Sequence, residues 1–277
     1  MLAGAGLTAV LYYSHRIIPN RVEVSRTEVE IPDLAPAFDG YRIAQISDLH
    51  ADRWMTPARL SARVRLVNEQ NPDLVVVTGD LLTDPNVGKD PNFARELSRL
   101  ESADGTLAIL GNYDYDSDAR VARALLAKAG IRELANDVFS VKRGDETLYI
   151  GGADDVWHGR ANLGEVFRKL PGGEPLIMLV HEPDFADETA KSGRVALQLS
   201  GHTHGGQVRL PLYGPVLRPK YGIKYPSGTY RVGEMTLHVN RGIGMFPPRL
   251  RFLCRPEISV IVLRRTGEDI ALEQASG

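Results

Sequence analysis

Val195-Ala-Leu-Gln-Leu-Ser-Gly-His-Thr-His-Gly-Gly-Gln207 is an apolar run that ends in two histidines, one residue apart and flanked by glycine. The run before Gly201 has the composition of a buried strand, and the glycines let the backbone turn sharply where that strand ends. Side chains two apart share one face of an extended segment, so His202 and His204 together can form half of a metal site. Open α/β sheets place their chemistry at such carboxyl ends. The competing reading, two histidines in a surface loop, holds only if no other part of the chain supplies partners.

Working outward, partners recur at the ends of other apolar runs. Leu176 to Val180 is a strand that ends at His181, and Pro183 can open the next helix at its first turn. Asp73-Leu-Val-Val-Val-Thr-Gly79 is the β-branched kind of run that parallel sheets bury on both faces, and it delivers Asp80. Tyr41 to Ser47 leads directly into Asp48-Leu49-His50, and Thr106 to Leu110 into Gly111-Asn112-Tyr113-Asp114. Helical spacing separates these strands: Leu60, Val64 and Val67 after the cap Thr56-Pro57, then Asn92 to Leu100, Asp116 to Ala129 and Leu163 to Leu170. Such strand-helix-strand order implies right-handed crossovers. Val138 to Val141 and Leu148 to Ile150 form a hairpin about Gly144, and alternation in Arg21 to Ile31 indicates a half-buried or edge strand. After Gln207 a long Pro- and Gly-punctuated loop precedes the final strands Gly228 to Val232, Met235 to Asn240 and Ile258 to Arg264.

The 277-residue chain is 43% hydrophobic and 25% charged, which is ordinary for a globular protein able to build a sizeable core. A net charge of -2 with dispersed basic residues argues against nucleic acid as a partner. Cys254 is the single cysteine, so neither an internal disulfide nor a thiolate zinc cluster can form. Leu2 to Tyr13 is an apolar run of twelve, short of the roughly 17–25 residues that span a bilayer, and His15 and Arg16 interrupt its extension through Ile17 and Ile18. No basic residue precedes it, so it makes a poor secretory signal. It is either a membrane anchor, whose positive flank at Arg16, Arg21 and Arg26 holds the main domain in the cytoplasm, or an interfacial helix. The expected organisation is an anchor or interfacial segment at 1–20, one domain at 21–270 and a frayed tail at 271–277.

Asp48, His50, Asp80, Asn112, His181, His202 and His204 thus all follow predicted strands, and four of the seven histidines fall at one rim. Oxygen and imidazole without thiolate suit manganese, iron or zinc better than calcium. Seven ligands are too many for one ion. Two divalent ions bridged by one carboxylate fit, since pairs about 3.5–4 Å apart clamp the attacking and leaving oxygens of an in-line displacement at phosphorus and acidify a bridging water.

The series Asp48-Leu-His50, Gly79-Asp80, Gly111-Asn112-x-Asp114, His181 and Gly201-His202-x-His204 resembles the five-block signature of calcineurin-like metallophosphoesterases, over about Tyr41 to Gln207. The resemblance implies an α/β fold of two packed mixed β-sheets flanked by helices. It also assigns Asp48, His50 and His204 to one metal, Asn112, His181 and His202 to the other, and Asp80 to the bridge, with Asp48, Asp80, Asn112, Tyr113 and His202 as the catalytic set. The expected cofactor is a pair of divalent ions, manganese first, with iron or zinc as alternatives. The apolar first segment, the Gly-Gly-Gln after the histidines and the late Arg249-x-Arg251-Phe252 and Arg255-Pro-Glu257 resemble a bacterial, membrane-associated branch. That branch includes phosphodiesterases and UDP-2,3-diacylglucosamine hydrolases of lipid A biosynthesis.

One position departs from the pattern: where the signature has a histidine after Asn112, this chain has Tyr113. A phenol with an unperturbed pKa of about 10 stays protonated but donates reluctantly, so Tyr113 is either a weak general acid or only a packing and hydrogen-bonding group. Family members without that histidine tend toward diesters. Asp155, His158, Arg249 and Arg251 are candidate substrate contacts, and Tyr221, Tyr225, Phe246 and Trp54-Met55 candidate surfaces for acyl chains; His238 falls within a predicted strand and reads as structural. The expected activity is hydrolysis of a phosphodiester or pyrophosphate bond by in-line attack of a bridging hydroxide, on a small molecule such as a nucleotide-linked lipid, by a membrane-associated monomer. The alternatives are a metal-free interaction scaffold on the same fold and a phosphomonoesterase or protein phosphatase.

Overall fold

Leu74-Val-Val-Val-Thr78 is buried at every position, as a strand covered on both faces must be. It lies inside a six-stranded sheet of the computed structural model, which describes residues 2–172 and 174–267. The tail expected at 271–277 lies outside the described residues. In chain order the strands are β1 (Glu23–Ile31), β2 (Arg42–Ile46), β3 (Leu74–Thr78), β4 (Thr106–Ile109), β5 (Arg132–Glu133), β6 (Asp137–Arg143) and β7 (Glu146–Gly152). They continue with β8 (Leu176–Leu179), β9 (Val195–Ser200), β10 (Arg209–Leu210), β11 (Gly214–Pro215), β12 (Gly228–Val232), β13 (Met235–Val239) and β14 (Glu257–Arg265).

One sheet has the order β1-β14-β2-β3-β4-β5 and the other β12-β13-β9-β8-β7-β6, while β10 and β11 form a separate ribbon. β2 to β5 run parallel, as do β7, β8, β9 and β13. β14 is antiparallel to β2, and β6 and β12 are antiparallel to their neighbours, so both sheets are mixed. Alternate residues of each strand face opposite ways. Leu74, Val76, Leu107 and Ile109 therefore meet Ile150, Ile177, Leu179 and Leu197 in the core between the sheets. Val75, Val77 and Ala108 point outward, into a core shared with residues of helices Pro57–Asn68, Pro91–Leu97 and Ala119–Ala129. Helices Leu163–Arg168 and Ala186–Lys191 contribute Val166 and Ala186 to a third core, with Met178, Leu237 and Val239 of the second sheet.

The helix expected from Asp116 is in fact two. Asn112–Ser117 forms a first short helix, the chain is extended at Asp118 (φ -173°), and the Asp118 side chain caps the second helix by accepting from Arg120 N. Local side-chain capping won over continuous helical spacing.

Leu2–Tyr12 is an α-helix, extended by a wider turn at Tyr13–Ile17 and a 3-10 turn at Ile18–Asn20. Eleven residues of helix rise only about 16 Å, and no helix among the described residues is long and apolar enough to cross a membrane. The segment is tied down where it leaves the helix: Arg251 N donates to Ser14 O (2.9 Å), His15 Nδ1 lies 2.8 Å from Arg249 O, and Arg63 donates to Pro19 O (3.0 Å).

Candidate metal centre

Each of the parallel strands β2, β3, β4, β8 and β9 releases its chain within three residues of a ligand-type side chain, and all five release it at one rim. Asp48, His50, Asp80, His202 and His204 all adopt left-handed backbone angles, with φ between 46° and 71°. For residues other than glycine this costs about 1 kcal/mol or more each, and such strain gathers where side chains must be aimed. The strained turns also need two close approaches. A Cβ on Gly201 would collide with Ser47 and Asp48, and one on Gly111 with Asp80 and His181.

The ligand atoms form two groups, Asp48 with His50 and His204, and Asp80 with His181 and His202; within each group they lie within 4.8 Å of one another, and every residue is buried. Asp80 Oδ2 lies between the groups, 3.6 Å from His50 Nε2 and 3.2 Å from His181 Nε2. Asp48 Oδ1 lies 3.3 Å from His204 Nε2, and the Asp48 carboxylate accepts from His202 N (3.1 Å). Backbone and hydroxyl partners orient three of the rings: His181 Nδ1 is 2.7 Å from Thr78 O, His202 Nε2 2.8 Å from Lys220 O, and His50 Nδ1 2.8 Å from Thr83 Oγ1. The opposite nitrogen of each is then free to face the centre, the usual arrangement for a ligating histidine.

Whether these residues fit metal ions is answered by their unused valence. Asn112 Oδ1 and His181 Nε2 are buried without a hydrogen-bond partner, although His181 Nε2 is only 3.2 Å from Asp80 Oδ2, so the pair is close but not aligned for a bond. His50 Nε2 and His204 Nε2 face each other at 2.9 Å. Leaving such groups unmatched is costly. Charge tells the same story. Burial opposes ionisation of Asp48 and Asp80, yet the neighbouring histidines hold both well below the usual carboxylate range. Burial would likewise depress His181, but the charge of Asp80 overrides it and raises its pKa well above the ordinary value. Burial pushes His50 and His202 down to about 4, leaving their lone pairs available. Two buried carboxylates thus demand positive charge between them. The two adjacent groups fit a binuclear divalent metal site.

A cavity of about 280 Å³ opens onto this centre, lined by Asp80, Asn112, His202 and His204 and walled by Tyr113, Asp116, Trp157, Pro219 and Phe246. A larger depression bordered by Pro32, Glu174, Arg194 and Glu234 does not include the metal-type groups. Tyr113 N donates to Asp80 Oδ1 (2.9 Å), and its ring stands edge-on to His50 with centroids 4.7 Å apart. Burial and then the Asp80 charge raise its pKa, so the phenol keeps its proton.

The other expected contacts divide. Asp155 is buried and spends one carboxylate oxygen on His158, at 2.6 Å from both its N and its Nδ1. His158 spans from there to Asp116 Oδ1 (3.1 Å), beside the cavity wall. Arg249 is drawn away by Asp52, its Nε 2.7 Å from Asp52 Oδ2. Arg251 is not a substrate contact: it is completely buried, and its Nη2 donates to the carbonyls of Arg241 (2.7 Å), Gly242 (3.0 Å) and Gly244 (2.8 Å). That nitrogen has two protons for three carbonyls, so its 3.3 Å approach to His204 Nδ1 is packing behind the ligand. Among the apolar candidates, Met55 and Tyr225 belong to the core and Trp54 lies under Arg59, whereas Phe246 faces the cavity. His238 is structural, 2.9 Å from both Thr229 Oγ1 and Ser259 Oγ.

Sequence reasoning passed over Asp114, Thr83 and Glu182. Asp114 accepts from Leu81 N (3.2 Å), Leu82 N (2.9 Å) and Gly111 N (3.0 Å), so it pins the turns bearing Asp80 and Asn112 to each other. Its place in Asn112-x-Asp114 was the available signal. Glu182 is buried beside His181, taking Val156 N and Trp157 N at 3.3 and 3.2 Å. Nothing in the spacing marks it or Thr83.

Residues 41–206 match the calcineurin-like phosphoesterase family. The chain is 36% identical over 270 residues to the uncharacterized metallophosphoesterase YkuE of Bacillus subtilis (strain 168), covering 96% of this chain and 94% of that one. It is 31% identical over 259 residues to the phosphodiesterase YaeI of Escherichia coli (strain K12), covering 91% and 92%. A transmembrane protein with metallophosphoesterase domain from Danio rerio is 31% identical over 258 residues, 88% of this chain and 57% of that protein. Among solved structures, the sulfate thiohydrolase SoxB of Thermus thermophilus superposes with a TM-score of 0.50 at 16% identity, over 88% of this chain and 61% of that one, a likeness of fold alone. The scaffold alternative falls with these relationships and the intact ligand groups. With ligand-type side chains gathered at its strand ends and its sequence kinship running nearly end to end, the chain belongs to the calcineurin-like phosphoesterase family and is a metal-dependent phosphoric ester hydrolase.

Proposed function

We propose that the enzyme hydrolyses a phosphodiester or pyrophosphate bond in preference to a monoester, on a nucleotide-linked lipid such as UDP-2,3-diacylglucosamine, working at a membrane with its catalytic domain on the cytoplasmic side, as a monomer. Tyr113 carries the preference. It stands at the cavity wall beside Asn112, its proton held by burial and by Asp80. A leaving group that is itself a phosphate, as in a pyrophosphate bond, needs little protonation, whereas an alkoxide leaving from an ester needs much.

Asp48, His50 and His204 would hold one ion, Asn112, His181 and His202 the other, and Asp80 both. Manganese is the proposed metal, since the donors are oxygen and imidazole without thiolate. When bound, two divalent ions supply positive charge for the phosphoryl oxygens and acidify water. The chain's own residues do the rest. Thr83 and the carbonyls of Thr78 and Lys220 fix the ligand rings, and Trp157, Pro219 and Phe246 narrow the cavity against bulk water. Asp155 and Asp116 hold His158 at the rim, where it contacts the substrate.

The test is manganese-loaded protein on bis-p-nitrophenyl phosphate, p-nitrophenyl phosphate and UDP-2,3-diacylglucosamine, with Asp80→Ala as control. Turnover of the diester well above the monoester is expected. Faster monoester turnover would refute the preference, and no turnover of the lipid nucleotide would remove that substrate.

A further inference from the structure

Charge is distributed very unevenly along this chain. Residues 1–22 contain no Asp or Glu, and from 189 to 256 Glu234 is the one acidic residue against eleven lysines and arginines. The chain as a whole is at -2, so the remainder is strongly negative. Exposed apolar side chains follow the same division. Among the described residues, every exposed large hydrophobic other than Val24 and Trp157 lies in those two stretches.

The fold brings the two stretches to one segment. On one side of Arg249–Leu253, Arg251 N donates to Ser14 O and His15 contacts Arg249 O, which anchors the helix Leu2–Tyr12. On the other, Phe252 N donates to Gln207 O (3.1 Å) and Arg209 N to Phe252 O (2.9 Å), which anchors the β10–β11 ribbon. The helix presents Val10, Leu11 and Tyr12 at 45%, 46% and 63% exposure, and the ribbon tip presents Leu212 fully exposed and Tyr213 at 70%. Leu212 holds φ 64°, a conformation that glycine or asparagine adopts more cheaply. A leucine there worsens the turn and gains nothing from burial. Arg16 follows Tyr12 by four residues, Arg218 follows Tyr213 by five and Arg255 follows Leu253 by two; all three are exposed and form no ion pair among the described residues.

Exposed apolar side chains on stretches rich in unpaired cations match the chemistry of a bilayer surface bearing negative headgroups. A second copy of this chain laid on the same face would oppose like charges. We infer that this face seats on an anionic lipid surface, with the ribbon tip Leu210–Tyr213 and the exposed side of the helix Leu2–Tyr12 entering the headgroup region. The ribbon springs directly from His204-Gly205-Gly206-Gln207, and Gln207 Nε2 bonds Phe246 O (3.0 Å) and Pro248 O (2.8 Å), so the seated face adjoins the cavity wall at Phe246. The inference extends the membrane-facing part of the proposed function and is independent of its diester preference.

Flotation of the full chain with phosphatidylcholine vesicles, with and without phosphatidylglycerol, tests it. Binding is expected to need phosphatidylglycerol and to weaken as salt is added, because surface charge is screened within a Debye length. Leu212→Asp/Tyr213→Asp should lower binding at least about tenfold, and Arg218→Glu/Arg255→Glu should do so through charge alone. Equal binding to both vesicle types, or full binding by either double variant, overturns the inference. So does a solution dimer that Leu212→Asp splits. Thermal midpoints and bis-p-nitrophenyl phosphate turnover of the variants should match the parent. An inactive parent that still floats would count against the proposed reaction and leave the docking result intact.

Discussion

Two neighbouring buried regions of this molecule treat their polar groups in opposite ways. In the metal centre, Asn112 Oδ1 and His181 Nε2 are enclosed without a hydrogen bond, and two imidazole nitrogens face each other at 2.9 Å. Only 3.3 Å behind His204, Arg251 is equally enclosed, yet its Nε and Nη2 are taken up by the carbonyls of Arg241, Gly242 and Gly244. In the centre the unpartnered atoms sit on ligand-type side chains, whereas the partnered nitrogens of Arg251 hold the fold. That distinction separates the ligands from the arginine better than charge or burial does.

The comparison can be broken by mutation, most severely at the bridge. Asp80→Ala is expected to lower kcat at least about 10³-fold, about 4 kcal/mol of barrier, and to leave one ion or fewer per chain by elemental analysis. Retention of two ions would remove Asp80 from between the groups. Arg251→Met should cost about 3–5 kcal/mol in denaturant unfolding, because three carbonyls lose their donor together. Asn112→Ala, by contrast, should leave the metal-free protein within about 1 kcal/mol of the parent, since nothing bonds its oxygen. Equal losses at the two positions would erase the contrast.

Smaller effects sharpen it. Tyr113→His is expected to raise the ratio of alkyl-ester to nitrophenyl-ester turnover about tenfold, about 1.4 kcal/mol, because a better proton donor helps most where the leaving group is most basic. An unchanged ratio would mean that Tyr113 does not set the preference. Burial above all, with help from Asp155, raises Glu182 to about 8 against the opposing His181 charge. A glutamate whose folded pKa is raised binds its proton more tightly in the native state. Stability contributed by that proton is therefore full below the unfolded pKa of about 4.3 and is lost as pH rises toward about 8. Glu182→Gln should flatten that slope in metal-free protein and raise the thermal midpoint at pH 8 by about 2–4 °C; an unaltered slope would assign it to another group.

Much of the centre was legible because parallel strands carry their own punctuation. Asp73 to Asp80 and Val195 to His204 each show an apolar run too short for a helix, then glycine, then a ligand-type residue, and the fold follows from repeating that unit. The helix break at Asp118 was not legible, since Asp116 to Ala129 keeps helical spacing straight through the capping residue. Arg251 misled for a different reason: an arginine in Arg249-x-Arg251-Phe252 reads the same whether its donors face a substrate or backbone carbonyls. Glu182 and Thr83 carry no pattern at all.

The sequence by itself determined the strand ends, the ligand types and, through a single acidic residue, Glu234, between 189 and 256, an electrically lopsided chain. These are properties of local spacing and composition. Only the tertiary structure decided that Asp80 lies between two groups, that Arg251 is sealed behind His204, and that the helix Leu2–Tyr12 and the β10–β11 ribbon share one segment. Those facts depend on contacts between residues as far apart as Ser14 and Arg251. Such contacts form when buried polar groups must find partners in three dimensions, and no local pattern records which partner each will find.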